Sequence, residues 1–274
     1  MAIQKNIMSV DLEDNYCDLP FSFWNNYEST LESPTRIILR LFRKYNVLAT
    51  FFTLGHTAKR HPELIEEIRA EGHELASHGY SHINLKKMGK EGFESDLAKS
   101  VRTIEKISGE KVLGFRAPYF SVNRCQPWAF EVMKKYLKYD SSIFPVKPHY
   151  NLGGAPRHIY RISDRDPLEE DCSSNFVEIP MATLHLPLVG NIPIAGGVYL
   201  RFLPYRIISL GIRKLNECQL PAMCYIHPED LNPERQRIPG YSWHYYCGLK
   251  GAIKKFEYLL ANFTFSSVRE VVPL

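Results

Sequence analysis

Gly72-His73-Glu74-Leu75-Ala76-Ser77-His78-Gly79-Tyr80-Ser81-His82 is the stretch on which the reading of this chain turns. The run His73–Ala76 follows a helix-stopping glycine and has the look of a short buried strand. It leads directly into two histidines four residues apart. On a helix, positions i and i+4 share a face, so both imidazoles can converge on one ion. Neutral imidazole suits zinc and related metals, and a catalytic metal site takes three protein ligands and keeps one position open. Two neighbouring surface histidines would give the same spacing. The strand in front of them favours the site, because α/β enzymes place ligands at the carboxyl ends of strands.

Strand and helix signals alternate on both sides of this stretch. Ile7–Val10 is a β-prone run that ends in Asp11-Leu12-Glu13-Asp14. Three carboxylates in four residues at a strand end are costly unless a cation or solvent relieves them; an acidic turn is the plainer alternative. Ser33-Pro34-Thr35 opens a helix with Ile37, Ile38, Leu41 and Phe42 at helical spacing. Val47–Leu54 is a continuous apolar run, as expected of a strand covered on both faces. Pro62–Ala70, Phe93–Ser108, Trp128–Leu137, Pro204–Cys218 and Leu249–Leu260 read as helices. Lys111–Phe115, Tyr139–Ser142, Phe176–Pro180, Leu184–His185 and Ala222–Ile226 read as strands or strand-like turns, and Val146–Asn175 as irregular surface. This alternation predicts an α/β fold with a parallel sheet, a barrel rather than an open sheet. No composition shift marks a boundary, so residues 1–274 read as a single domain.

Composition narrows the function. The chain has 274 residues, 45% hydrophobic and 23% charged, with net charge +4, the balance of an ordinary globular protein. No dense Lys/Arg block is present, which argues against a nucleic-acid partner. No apolar run approaches a transmembrane segment, and Met1–Ile7 does not read as a secretory signal, so a cytoplasmic location is expected. The six cysteines contain no Cys-x-x-Cys and read as reduced and structural, with Cys17 close to the acidic motif. Neither a Gly-x-Gly-x-x-Gly nor a phosphate loop is found.

Chemistry-bearing residues collect at strand ends: Asp11 to Asp14, His78 and His82, Arg116, Asp140 and His227. In order, Ser9-Val10-Asp11-Leu12-Glu13-Asp14, Ser77–His82, Arg116-Ala117-Pro118-Tyr119, Asp140-Ser141-Ser142 and Ile226-His227 resemble the motifs of the polysaccharide deacetylase family, carbohydrate esterase family 4. The first motif departs from the common Thr-Phe-Asp-Asp-Gly form. It looks like the Val-Asp-x-Glu-Asp version of a subgroup tied to bacterial exopolysaccharide and O-antigen synthesis, which Tyr225–Asp230 also resembles.

The resemblance implies a distorted (β/α) barrel of about seven parallel strands. It implies a hydrolase that removes an acetyl group from an N-acetylated sugar or polysaccharide precursor, using a divalent metal, zinc first. Carried over by motif, Asp11 is the general base. The metal ligands are Asp14, His78 and His82, with Glu13 as the alternative to Asp14. Arg116 holds Asp11, Asp140 supports His227 as general acid, and the Tyr119 backbone N–H helps to stabilise the oxyanion. The alternatives are an amidohydrolase acting on a small non-sugar amide and a carbohydrate-binding protein with a relic site. The expected partner is an acetylated sugar or glycan; oligomeric state is left open. His56, His61, His149, His158, His185 and His244 read as surface or packing residues. Phe21–Tyr27 and Tyr241–Tyr246 are expected to shape the substrate groove.

Overall fold

The computed structural model describes residues 4–147, 152–163 and 166–274; His149 lies outside the described residues. The N-terminal part runs β1 (Asn6–Leu12), α1 (Glu32–Tyr45), β2 (Thr50–Thr53), α2 (Gly55–Arg60), α3 (Pro62–Ala70), β3 (Glu74–Ser77), α4 (Leu85–Ser108), β4 (Gly114–Phe115), α5 (Pro127–Lys134) and β5 (Tyr139–Asp140). The chain continues through β6 (Tyr160–Arg161), β7 (Val177–Glu178), β8 (Thr183–Leu186), β9 (Gly190–Pro193), α6 (Gly197–Phe202), α7 (Tyr205–Glu217), β10 (Met223–Ile226), α8 (Leu249–Asn262), β11 (Phe265–Ser266) and α9 (Val268–Val271).

One sheet takes strands from both parts, in the order β10-β1-β2-β3-β4-β5-β7-β6, with β11 also paired to β1. The path from β10 to β7 holds seven strands paired in parallel, and β6 closes it antiparallel. The fold is therefore α/β, with a curled and mostly parallel sheet. It is a half-barrel: among the described residues, β10 and β6 end the path without pairing to each other. Strands β8 and β9 form a separate hairpin.

Strand β1 pairs with β2, β10 and β11, and all seven of its residues are buried. Its apolar side chains join the core, while its polar ones find partners. Asn6 Oδ1 accepts the Ala222 N–H at 2.9 Å, and Ser9 Oγ donates to the Cys224 carbonyl at 3.0 Å. Buried polar groups persist only when paired in this way. Helix α1 buries Ile38, Leu39, Leu41 and Phe42 and stops at Asn46, whose φ of 53° is the left-handed turn-off common at helix ends.

Three local expectations are corrected. His78 and His82 are not on a helix: β3 opens into a loop in which Gly79 has φ 77° and His82 has φ 50°. Asp96 of α4 holds this loop by accepting the Tyr80 N–H at 2.7 Å and the Ser81 hydroxyl at 2.5 Å. Helix α4 begins at Leu85 rather than Phe93, because the break at Gly89 (φ 71°) obscures its polar first turn. Helix α6 was missed altogether, since it starts on the glycine pair Gly196-Gly197.

The amino-terminal edge of the sheet is fastened by buried polar groups. Glu74 accepts from Thr50 Oγ1 (2.7 Å), the Arg269 N–H (2.9 Å) and Tyr139 Oη (3.0 Å). Beside it His73 is 2% exposed, and its Nδ1 accepts the Ala49 N–H at 3.2 Å. Burial lowers the His73 pKa from 6.5 to about 4. The folded state thus resists a proton that the unfolded chain accepts, so stability is full above pH 6.5 and lost as pH falls toward 4. Chemical denaturation between those values should show a loss of roughly 3 kcal/mol from this group. The slope should flatten in His73→Asn, whose amide oxygen can still accept from Ala49; an unchanged slope would remove His73 as its source.

Candidate active site

Strand register builds the site. Leu12, Thr53, Ser77, Phe115 and Asp140 form one row across the sheet. The residues just beyond it include Glu13, His78 and Arg116. Val10 pairs with Ile226, which sets His227 beside Asp11. Asp11, Glu13, His78, His82 and His227 line a cavity of about 510 Å³ at the carboxyl ends of the strands, with Arg116 buried behind it.

Arg116 is fully buried, and its guanidinium is surrounded by partners. Nη1 contacts Asp11 Oδ1 at 2.5 Å and Ser9 Oγ at 3.0 Å, while Nε and Nη2 reach the Ser141 carbonyl and hydroxyl, both at 3.1 Å. Its charge also lies 4.0 Å from the Phe52 ring centroid. Asp11 is thereby fixed in orientation and its charge balanced.

Glu13, His78 and His82 bring one donor atom each to within 4.8 Å of one another. His78 Nδ1 faces the Arg116 carbonyl at 2.7 Å, and His82 Nδ1 faces the Cys17 carbonyl at 3.0 Å. A carbonyl only accepts, so each Nδ1 carries hydrogen and each Nε2 presents its lone pair to the cavity. There the two Nε2 atoms meet Glu13 Oε2, at 3.8 Å and 2.7 Å. That oxygen is buried without a well-formed hydrogen bond. Three acceptors facing one another call for a shared proton or a cation, and two imidazoles with a carboxylate are a fitting donor set for zinc. Burial would raise the Glu13 carboxyl, but His82, His227 and His78 together hold it well below the usual range. Burial lowers His78 to about 4, whereas at His82 the Glu13 carboxylate outweighs burial and moves the imidazole upward.

Asp14 points elsewhere. Its carboxylate accepts from the Ser29 hydroxyl and, at 3.0 Å, from the Thr30 N–H. The chain turns just past β1, where the Glu13 N–H donates to the Asp11 carbonyl at 3.1 Å, and this turn brings the Glu13 carboxylate to the histidines.

Asp140 also departs from expectation: it is not the partner of His227. Buried beside Glu178, it accepts from Ser142 Oγ at 2.6 Å, and Ser142 Oγ in turn accepts the Ala117 N–H at 2.8 Å. Burial pushes both the Asp140 and Glu178 carboxyls up. Asp140 thus props the loop that carries Arg116. The carboxylate on His227 is Asp230, which accepts from both Nδ1 and the backbone N–H at 2.9 Å. The His227-x-x-Asp230 spacing has the form of a reciprocal cap, which could have revealed it. Burial alone would lower His227, but Asp230, followed by Glu13 and Asp11, raises it to about 9. Its Nε2 lies 3.3 Å from Glu13 Oε1.

Sequence reasoning passed over Arg201. Buried at the end of α6, it sits 2.9 Å from Asp230 Oδ1 and donates to the carbonyls of His244 (2.7 Å) and Cys247 (2.8 Å). Gly197 makes room for this arrangement, since a Cβ there would fall 1.5 Å from Asp230 Oδ2. Tyr119 has φ 58°, and its ring packs 4.6 Å from that of His82. His244, expected to be peripheral, lines the cavity with Tyr245.

Comparison with known proteins agrees with this architecture. Residues 22–131 match the polysaccharide deacetylase family model, and residues 141–273 match a domain of unknown function, DUF3473. The chain is 33% identical to a peptidoglycan deacetylase from Helicobacter pylori over 52% of its own length and 50% of that protein's. It spans about half, or less, of the curated relatives it matches. A structure described as a polysaccharide deacetylase from Mycobacterium smegmatis aligns over 99% of this chain and 90% of that one, with TM-score 0.63 and 19% identity. A carbohydrate esterase family 4 pseudoenzyme from Bacillus anthracis aligns over 98% of this chain and 66% of that one, with TM-score 0.52 and 13% identity. The likeness to the polysaccharide deacetylase family rests on residues 22–131 and on relatives matched over about half of the chain or less. Arg116, His78 and His82 fall within the first matched segment, and His227 and Asp230 within the second.

Removing the guanidinium should expose the dependence of this site on one ion pair. Arg116→Met leaves Asp11 buried without its counter-charge and should cost about 3–5 kcal/mol of stability in denaturant titration. A loss below about 1 kcal/mol would mean that Asp11 finds another partner.

Proposed function

We propose that this protein is a metal-dependent deacetylase that hydrolyses the acetamide of an N-acetylated sugar or of a polysaccharide precursor. The observation carrying this reading is the convergence of Asp11–Arg116, the Glu13–His78–His82 group and His227–Asp230 on one cavity. A fold shared with a pseudoenzyme says nothing of activity. The complete set of base, acid and their supports is what favours an enzyme over a relic binding protein.

Glu13, His78 and His82 would hold the ion, with Glu13 in the place first expected of Asp14. A divalent metal bound there, zinc by its fit to the donor set, would polarise the acetyl carbonyl and make the attacking water more acidic. Asp11, oriented by Arg116, takes the proton of that water as it adds to the carbonyl carbon. The Tyr119 N–H donates to the oxyanion. His227 delivers a proton to the nitrogen as the C–N bond breaks, and Asp230 stabilises the imidazolium before transfer. The products are acetate and a free amino sugar. We assign the chain, as one catalytic domain, to the Val-Asp-x-Glu-Asp subgroup, with bacterial surface polysaccharide synthesis as its setting. Among the described residues no helix is long and apolar enough to cross a membrane.

Two measurements test the assignment. Metal analysis should find about one zinc ion per chain, lost in Glu13→Ala and in the His78→Ala, His82→Ala double variant but retained in Asp14→Ala. Retention in Glu13→Ala with loss in Asp14→Ala would return the ligand role to Asp14. In acetate-release assays on N-acetylated oligosaccharides, Asp230→Asn should lower kcat by roughly 10²-fold or more. Asp140→Asn should act mainly through stability. Chelator-resistant turnover would overturn the metal mechanism.

A further inference from the structure

The cations lining the cavity differ in one respect. Arg201 is paired with Asp230, and the three histidines of the centre face carboxylates. Arg235 lines the same cavity but has no ion pair among the described residues. Its one hydrogen bond there runs from Nη1 to the Tyr245 carbonyl at 3.2 Å, and its Nε is buried without an acceptor. The guanidinium is held in place by aromatic rings, 5.3 Å from the Tyr245 centroid and 6.0 Å from that of Tyr246.

A guanidinium offers five N–H donors in a planar fork that matches carboxylate and phosphate oxygens. A half-buried arginine that engages so few of them with protein, and has a desolvated Nε in the cavity, is free to offer its fork to an acceptor on the ligand. The nearby carboxylates have other partners. Glu229 accepts from Thr30 Oγ1 at 2.7 Å and Asn232 Nδ2 at 3.0 Å, while Asp18 accepts from Tyr245 Oη at 2.8 Å.

We infer that the substrate carries an oxyanion, a carboxylate or a phosphate ester, near its acetamide, and that Arg235 recognises this group. The inference rests on the deacetylase reading for the identity of the acetamide but not for the binding of the oxyanion. It narrows the substrate class from acetylated sugars in general to anionic ones.

The test uses the metal-loaded full chain and three probes: N-acetylglucosamine, N-acetylglucosamine 1-phosphate and N-acetylmuramic acid. Calorimetry should show the wild type binding at least one anionic sugar at least tenfold more tightly than the neutral one. Which anion is preferred separates phosphate from carboxylate. In Arg235→Gln the preference should fall about tenfold, toward parity, and Arg235→Lys should restore part of it. A preference unchanged in Arg235→Gln overturns the inference, as does equal binding of all three sugars by the wild type. A merely structural role would weaken all three equally, leave the ratio intact and also overturn it. Acetate release is read separately. Arg235-dependent binding of an anionic sugar without turnover would sink the deacetylase reading and leave the oxyanion site standing.

Discussion

The structure depends on a positive charge buried at the centre of the sheet. Arg116 has no access to water, and a guanidinium there is tolerable only if its charge is matched and its donors are occupied. Asp11 supplies the charge, and Ser9 and Ser141 supply acceptors. These residues come from β1 and from the ends of β4 and β5, so the pair ties distant strands to one register. The Arg116 carbonyl also receives Nδ1 of His78. One residue therefore orients both the Asp11 carboxylate and the His78 imidazole.

The rest of the site repeats this logic. Each imidazole of the group is oriented by a second group hydrogen-bonded to its Nδ1. His82 is turned by the Cys17 carbonyl, His227 by Asp230, and Asp230 by Arg201. Arg201 also gathers the carbonyls of His244 and Cys247, so the hold on Asp230 and the course of the cavity-lining loop share one anchor. Such support holds a reacting geometry more closely than a loop could alone.

The two matched segments meet at this centre. The first contributes the imidazole pair and Arg116, the second His227, Asp230, Arg201 and Arg235. The second also contributes β7, β10 and β11 to the shared sheet. His227 and Asp11 thus come from distant parts of the sequence and are brought level by the pairing of β1 with β10.

Much of this was legible in the sequence. Apolar runs located the strands, prolines and glycines located most helix ends, and motif order placed Asp11, His78, His82, Arg116, Tyr119 and His227 on one rim. Those features follow from local rules of periodicity and turn chemistry. Tertiary structure decided the remainder. Whether Asp140 or Asp230 reaches His227 depends on how β5 and the segment after β10 lie around the sheet, and no local pattern encodes that distance. Arg201 and Arg235 carry no signature because the burial of the first against Asp230 and the place of the second beside the Tyr245 and Tyr246 rings are properties of the assembled fold. The path of the histidine loop was likewise hidden: an i, i+4 spacing fits a helix, but the hold of Asp96 on Tyr80 and Ser81 bends the chain out of it.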